Sequence, residues 1–198
     1  MRYKPEHKER TRARIVTQAG RLFRRHGYEG VGVDAIMSAA QLTRGGFYGY
    51  FRSKAALFAA VLRGEHDFIT RMRARPGSTP RELRREAMEV VDGYLHPDNR
   101  ERVGRGCHMA ALSIDVARGG ADARRAYTEK VRDLAREFAR GLDRPAEPPE
   151  LDPRALASMA LCVGGLVISR ALADDDLAEA LSGACREAVA DQLETGPG

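Results

Sequence analysis

A chain of 198 residues with 43% apolar and 31% charged side chains is long enough to bury a real core and has the make-up of an ordinary globular protein. The formal net charge is +5, but residues 1–54 carry 12 Lys or Arg against 4 Asp or Glu, while the remainder carries 21 against 24. A basic head on a near-neutral body points to a polyanion at one end only.

Trp is absent and Val/Ile/Thr runs are short, so nothing recommends a sheet. The opening MRYKPEHKER lacks the apolar stretch of a signal peptide. The apolar run between Arg154 and Arg170 falls short of the roughly 20 residues that span a bilayer, so no membrane is expected. Three scattered Cys make neither a disulfide framework nor a zinc pattern, which suits a reducing cytoplasm.

Hydrophobic periodicity predicts an all-α chain of about nine helices. The first runs from Glu9 to His26, with Ile15, Ala19, Leu22 and Phe23 on one face and Gly27 as its cap. The second covers Val33 to Ala40. The third follows Thr43, a good N-cap, and ends near Tyr50. The fourth starts at Ser53 and runs to Arg73. Thr79 and Pro80 open the fifth, with its stripe at Leu83, Ala87, Val90, Val91 and Tyr94. The polar stretch Asp98 to Gly106 reads as a mobile loop. The sixth helix carries Met109, Leu112 and Val116, and the seventh Tyr127, Val131, Leu134 and Phe138. Asp143 to Glu150 is a linker. Asp152 and Pro153 open the eighth helix, and Asp174 to Asp176 open the ninth.

The chemistry concentrates in LTRGGFYGYFRSK, Leu42 to Lys54. The second helix, a short turn at Gln41-Leu42-Thr43 and the third helix form a helix-turn-helix pattern, whose second helix reads a DNA groove through its first residues. Arg44 is suited to bidentate binding of guanine, and Thr43 to a base or a phosphate. Gly45 and Gly46 mark a close approach, either to DNA or to the first helix. Phe47 and Phe51 recur at i and i+4 as core anchors, and Tyr48 and Tyr50 lie off that stripe with hydroxyls free for phosphates. Lys54 adds a charge to a helix N-terminus that favours anions.

The segment Gly27 to Leu62, and above all LTRGGFYGYFRSKAAL from Leu42 to Leu57, resembles the DNA-binding domain of TetR-family transcriptional regulators. The resemblance implies a homodimer on a palindromic operator, acting as a repressor that a ligand releases. By match to the family motif it makes Thr43, Arg44, Tyr48 and Lys54 DNA contacts. It also implies a DNA-binding head over residues 1–54 and a sensing and dimerisation domain over 55–198, with the fourth helix, 53–73, linking the two. Two positions depart from the family pattern. Gly32 stands where a capping Ser or Thr is usual, and Gln41 where a turn Gly is common.

The eighth helix is apolar around much of its surface, and Gly164 and Gly165 allow another helix to come close. Leu156, Met159, Ala160, Val163, Leu166 and Val167, with Leu177, Leu181, Ala184 and Ala188 of the ninth helix, are the expected dimer face. A small-molecule effector is expected among helices five to eight, with Met88, Tyr94, Cys107, His108, Met109, Tyr127 and Phe138 as candidate linings. Cys107 opens the sixth helix beside Arg105 and His108, a setting that activates a thiol, and GCHMAALSIDVAR is similar to the equivalent segment in family members that sense oxidants. Its other reading is a small buried hydrophobe, as for Cys162 and Cys185.

No phosphate loop, HExxH or nucleophile elbow occurs, so no enzyme, catalytic residue, metal or cofactor is expected. The competing function is a helical interaction module whose basic head binds nucleic acid nonspecifically.

Overall fold

Apolar spacing and caps set the elements of the computed structural model, which describes residues 5–194. The α-helices are α1 (Pro5–His26), α2 (Val33–Ala39), α3 (Lys54–Arg63), α4 (Asp67–Arg73), α5 (Pro80–Leu95), α6 (Pro97–Glu101), α7 (His108–Arg118), α8 (Ala121–Ala139), α9 (Pro153–Ala171) and α10 (Asp175–Glu194). Short 3-10 helices occupy Arg44–Gly49, Val103–Arg105 and Pro149–Leu151, and no strand occurs among the described residues.

Several helix starts are chemically fixed. Thr79 and Glu82 close a reciprocal capping box ahead of Pro80. The Ser53 hydroxyl accepts from the Ala56 amide, and Asp152 accepts from the amides of Arg154 and Ala155. Asp174 accepts from the Leu177 amide at 3.0 Å.

Four expectations need correction. The helix expected over 53–73 is two helices, because Gly64 leaves the helical region with ψ 178° and His66 restarts the chain as the N-cap of α4. That break and α6, in a stretch read as loop, add two helices, and the expected third is not α, so ten α-helices stand among the described residues where nine were expected. The third helix is 3-10 rather than α, consistent with three glycines in its six residues, each about 1 kcal/mol poorer than Ala in an α-helix. Thr43 precedes it but its side chain makes no capping bond. Finally, α9 has 19 residues and a mean hydropathy of 1.4, so it is long and apolar enough to cross a membrane by length and composition. Its inner face, which includes Ala155, Cys162, Gly165 and Leu166, is buried within the helical core.

Two hydrophobic clusters organise the chain. The first joins α1, α2, the 3-10 helix and α3 through Ile15, Phe23, Ile36, Phe47 and Phe58, and extends to Leu112 and Val116 of α7 and Ala123 and Ala126 of α8. The second joins α4, α5, α8, α9 and α10 through Phe68, Tyr94, Phe138, Leu166 and Val189. The first cluster continues past residue 54 into Leu57, Phe58, Val61 and Leu62 of α3 and rests on α7 and α8.

Polar bonds fasten the same joint. The Tyr28 amide donates to Asp115 of α7 at 3.0 Å, and Arg24 of α1 donates twice to the Gly104 carbonyl, at 3.0 and 2.7 Å. Within the second cluster, buried Arg75 donates to the carbonyls of Met72 and Leu83, each at 2.6 Å, and of Glu137, tying α4, α5 and α8 together.

Candidate functional site

The 3-10 helix and the residues just after it turn two Phe rings inward and their polar groups outward. Phe47 and Phe51 are buried, with ring centroids 6.0 Å apart. Thr43, Arg44 and Gly45 are exposed, and Tyr48 is 73% exposed. Tyr50 is half-buried against the head cluster, a poorer position for a free hydroxyl than that of Tyr48. The Tyr48 ring meets Phe47 edge-on, with centroids 5.3 Å apart, and otherwise stands in water.

The glycines of this helix separate their two readings. A Cβ added at Gly45 or Gly49 would meet nothing within 4 Å, and one at Gly46 would touch only the Met37 methyl at 3.7 Å. Packing on α1 therefore does not require Gly45. Open space over its backbone leaves room for an approaching surface.

Two residues hold the charges of this face. Arg44 Nη1 pairs with Asp34 of α2 at 2.9 Å, both side chains well exposed. Lys54 Nζ sits 4.1 Å above the Tyr28 ring, a cation–π contact that fixes where its charge is presented. Nothing in the spacing of the sequence pointed to Asp34 or Tyr28 as partners. Gln41 adopts φ 56°, the left-handed turn conformation expected at its position. Gly32 caps α2 without a side-chain bond.

The candidate effector residues do not form one group. Tyr94, Met109 and Phe138 are buried in the second cluster, and Met88, Cys107 and Tyr127 pack against it. Tyr94 stacks on Phe68 with centroids 3.9 Å apart, and its hydroxyl is buried with no well-formed hydrogen bond. Burial, together with the neighbouring Cys107 thiol, raises the Tyr94 pKa well above its usual value. Cys107 is partly buried and caps α7 without a side-chain bond, within electrostatic range of Arg24 and Arg170. The Arg105 side chain, expected beside this thiol, lies outside the described residues. Burial raises the pKa of Cys162 and Cys185, which makes both poor nucleophiles.

His108 departs from this set. It turns away from α5 and α8 toward α1, where its Nε2 accepts from Arg24 Nη1, and its ring packs against His66 with centroids 4.6 Å apart. It lines a cleft of about 730 Å³ between α1, the end of α3 and the start of α7. His66 and Arg24, its neighbours there, carried no signal in the sequence.

The expected dimer face is partly open. Val167 and Leu177 are 39% and 53% exposed, and Ala160 and Ala184 are also open. Leu156, Met159, Val163, Leu181 and Ala188 are half-buried. Leu166 is the exception: it is fully buried in the second cluster and faces the protomer's own core. Ile168, 52% exposed, takes its place beside Ala160 and Gly164 at helical spacing, a stripe that was visible in the sequence.

Residues 15–61 match the family model for bacterial regulatory proteins of the tetR family. The N-terminal unit is a TetR-family domain. Among characterised proteins, the HTH-type transcriptional repressor DhaR of Mycobacterium sp. (strain GP1) is 26% identical over 106 residues, 54% of this chain and 52% of that protein. The transcriptional regulator AcuR of Cereibacter sphaeroides is 41% identical over 46 residues, 23% of this chain and 21% of that protein. The chain thus matches about half of the first relative's length and a fifth of the second's. Solved TetR-like structures extend the likeness to the whole fold. NemR of E. coli in its reduced form superposes with a TM-score of 0.71 at 20% identity, covering 89% of this chain and 95% of that one. A TetR-family regulator from Cytophaga hutchinsonii superposes with a TM-score of 0.72 at 19% identity, covering 93% and 96%. The all-α arrangement, with its N-terminal helix-turn-helix, is the TetR-family fold.

Proposed function

We propose that this chain is a homodimeric, sequence-specific DNA-binding regulator of the cytoplasm, a repressor that a small ligand or thiol modification releases. The carrying observation is the match of residues 15–61 to the tetR-family model, on a helix-turn-helix whose Arg44 and Tyr48 stand in solvent over an unobstructed Gly45 backbone.

In this reading, residues 1–54 form the DNA-reading head and residues 55–198 sense the effector and hold the dimer together. Arg44 reads a base, Thr43, Tyr48 and Tyr50 hold base or phosphate, Gly45 lets the backbone approach, and Lys54 neutralises a phosphate. The open faces of α9 and α10 bury each other across a two-fold axis, as four helices. The dimer brings two heads to successive major grooves, about 34–36 Å apart. Effector chemistry around Tyr94 and Cys107 shifts α7 and the 3-10 helix before it, Gly104 passes that shift to Arg24 of α1, and Asp115 passes it to Tyr28 in the turn that follows α1.

Fluorescence anisotropy on the intergenic DNA beside the protein's own gene tests this, with excess nonspecific duplex as competitor. Tight binding that survives the competitor, at two chains per palindrome, is the expected result. Binding that vanishes into the competitor on every candidate operator would reduce the head to a nonspecific phosphate grip. The Cys107 part fails if Cys107→Ser releases DNA on oxidation as wild type does.

A further inference from the structure

We propose that the cleft between α1, the end of α3 and the start of α7 binds a small organic monoanion, with Arg24 as its counter-charge. The argument starts from a charge without a partner. Arg24 is half-buried, and among the described residues no carboxylate lies within ion-pair distance of it. Its Nε and Nη2 donate to the Gly104 carbonyl and its Nη1 to His108 Nε2. These use three of the five guanidinium N–H groups and leave two.

Burial lowers the Arg24 pKa to about 10, so the side chain still carries its charge at neutral pH. An arginine can only donate, so His108 Nε2 is an acceptor and its ring is neutral with the proton on Nδ1. Burial first, then the nearby His66 and Arg24, push the His108 pKa down to about 2. The histidine therefore offers Arg24 no counter-charge. A desolvated cation held only by neutral acceptors favours an anion far more than an exposed one does.

The cleft supplies the rest of a site. Its floor is small and apolar, with Val16, Gly20, Ala60 and Val61. Gly20 keeps this floor low: a Cβ there would come within 3.2 Å of Arg24 Nη1 and 3.3 Å of Val61 Cγ1. The mouth carries both signs, Arg12 and Arg63 against Glu65 and Asp67. Only the inner end has uncompensated positive charge, so the fit is to one anionic group on a compact apolar body rather than to a polyanion. The volume of about 730 Å³ suits a molecule of that size. The site spans both units, since α1 belongs to the head and His108 opens α7. Ligand and DNA would then alter each other's affinity by the same factor.

Isothermal titration of the full chain with octanoate, benzoate and naphthalenesulfonate tests the site, with octanamide and benzamide as neutral controls. It reads binding without DNA, so it stands or falls apart from the regulator reading. We expect at least one acid to bind at one per chain, with its neutral counterpart at least tenfold weaker. Thr17→Trp, an exposed α1 position on the cleft wall, should weaken that binding at least tenfold while circular dichroism stays that of wild type. Arg24→Gln should do the same; if that variant fails to fold, Thr17→Trp decides. No binding of any of the three acids at millimolar concentration would overturn the proposal. So would equal binding of acid and amide, or binding that survives Thr17→Trp.

Discussion

The 3-10 helix and the joint behind it solve opposite problems with the same residue. At the 3-10 helix, Arg44 stands in water and shares a carboxylate with it, while 20 positions earlier Arg24 of α1 is half-buried with only neutral hydrogen-bond acceptors. The body repeats the second arrangement at Arg75, whose guanidinium serves three backbone carbonyls. An exposed pair contributes little to folding, roughly 0–1 kcal/mol, and is free to exchange partners. A buried guanidinium that satisfies backbone acceptors is expensive to remove, because each orphaned acceptor costs about 1–3 kcal/mol. Arginine content therefore says little about role in this chain; burial and partner decide it.

The contrast is breakable, and the largest effect should come from the body. Arg75→Met should lower unfolding stability in urea by at least ~3 kcal/mol, from three buried carbonyls losing their donor, with no change at the Arg44 face. A midpoint like wild type would mean the second cluster does not depend on that strap.

Acid should strike the same buried joint next. Burial holds the His66 pKa near 4 and the His108 pKa near 2, below the 6.5 of the unfolded chain. The unfolded chain thus takes up these protons more readily. The stability linked to their neutral form is complete above pH 6.5 and is lost as pH falls from 6.5 to about 4 for His66 and to about 2 for His108, by about 1.4 kcal/mol per pH unit for each histidine. Denaturation series at pH 7 and pH 5 measure it, and a His66→Gln variant should flatten part of the slope.

Arg44→Ala should leave stability within about 0.5 kcal/mol of wild type and relax discrimination by about 1–3 kcal/mol at one base pair per half-site. Binding that weakens equally on all sequences would instead make Arg44 a phosphate contact. The smallest effect belongs to the turn. Gln41→Gly should raise stability by ~0.5–1 kcal/mol, because φ 56° strains a residue with a Cβ. A loss there would show that the Gln side chain contributes more than its backbone costs.

The helix-turn-helix was legible because its evidence is local. Thirteen consecutive residues, Leu42 to Lys54, carry the inward Phe pair, the outward polar set and the following cap. Proline and cap residues likewise located the starts of α5 and α9. The Arg24–His108 contact was not legible, since 84 positions separate its partners and no periodicity links them. Leu166 was placed on the wrong face for a different reason. A helix that is apolar nearly all round does not say which side its own protomer buries. The 3-10 geometry of Arg44–Gly49 could have been suspected from its three glycines, and the break at Gly64 from one more. What no pattern carried was the pairing of exposed charges, which is settled by side-chain reach across elements.

That pairing has a kinetic side. On duplex DNA of the wrong sequence, Arg44 does not have to face a base without a partner, because Asp34 is already within reach. In the proposed reading, off-target complexes would lack the penalty of a stranded guanidinium, and the head would slide along phosphates with its reading group stowed. At an operator, guanine would replace the carboxylate. Such an arrangement would trade some equilibrium discrimination for a faster search, and removing Asp34 would slow it.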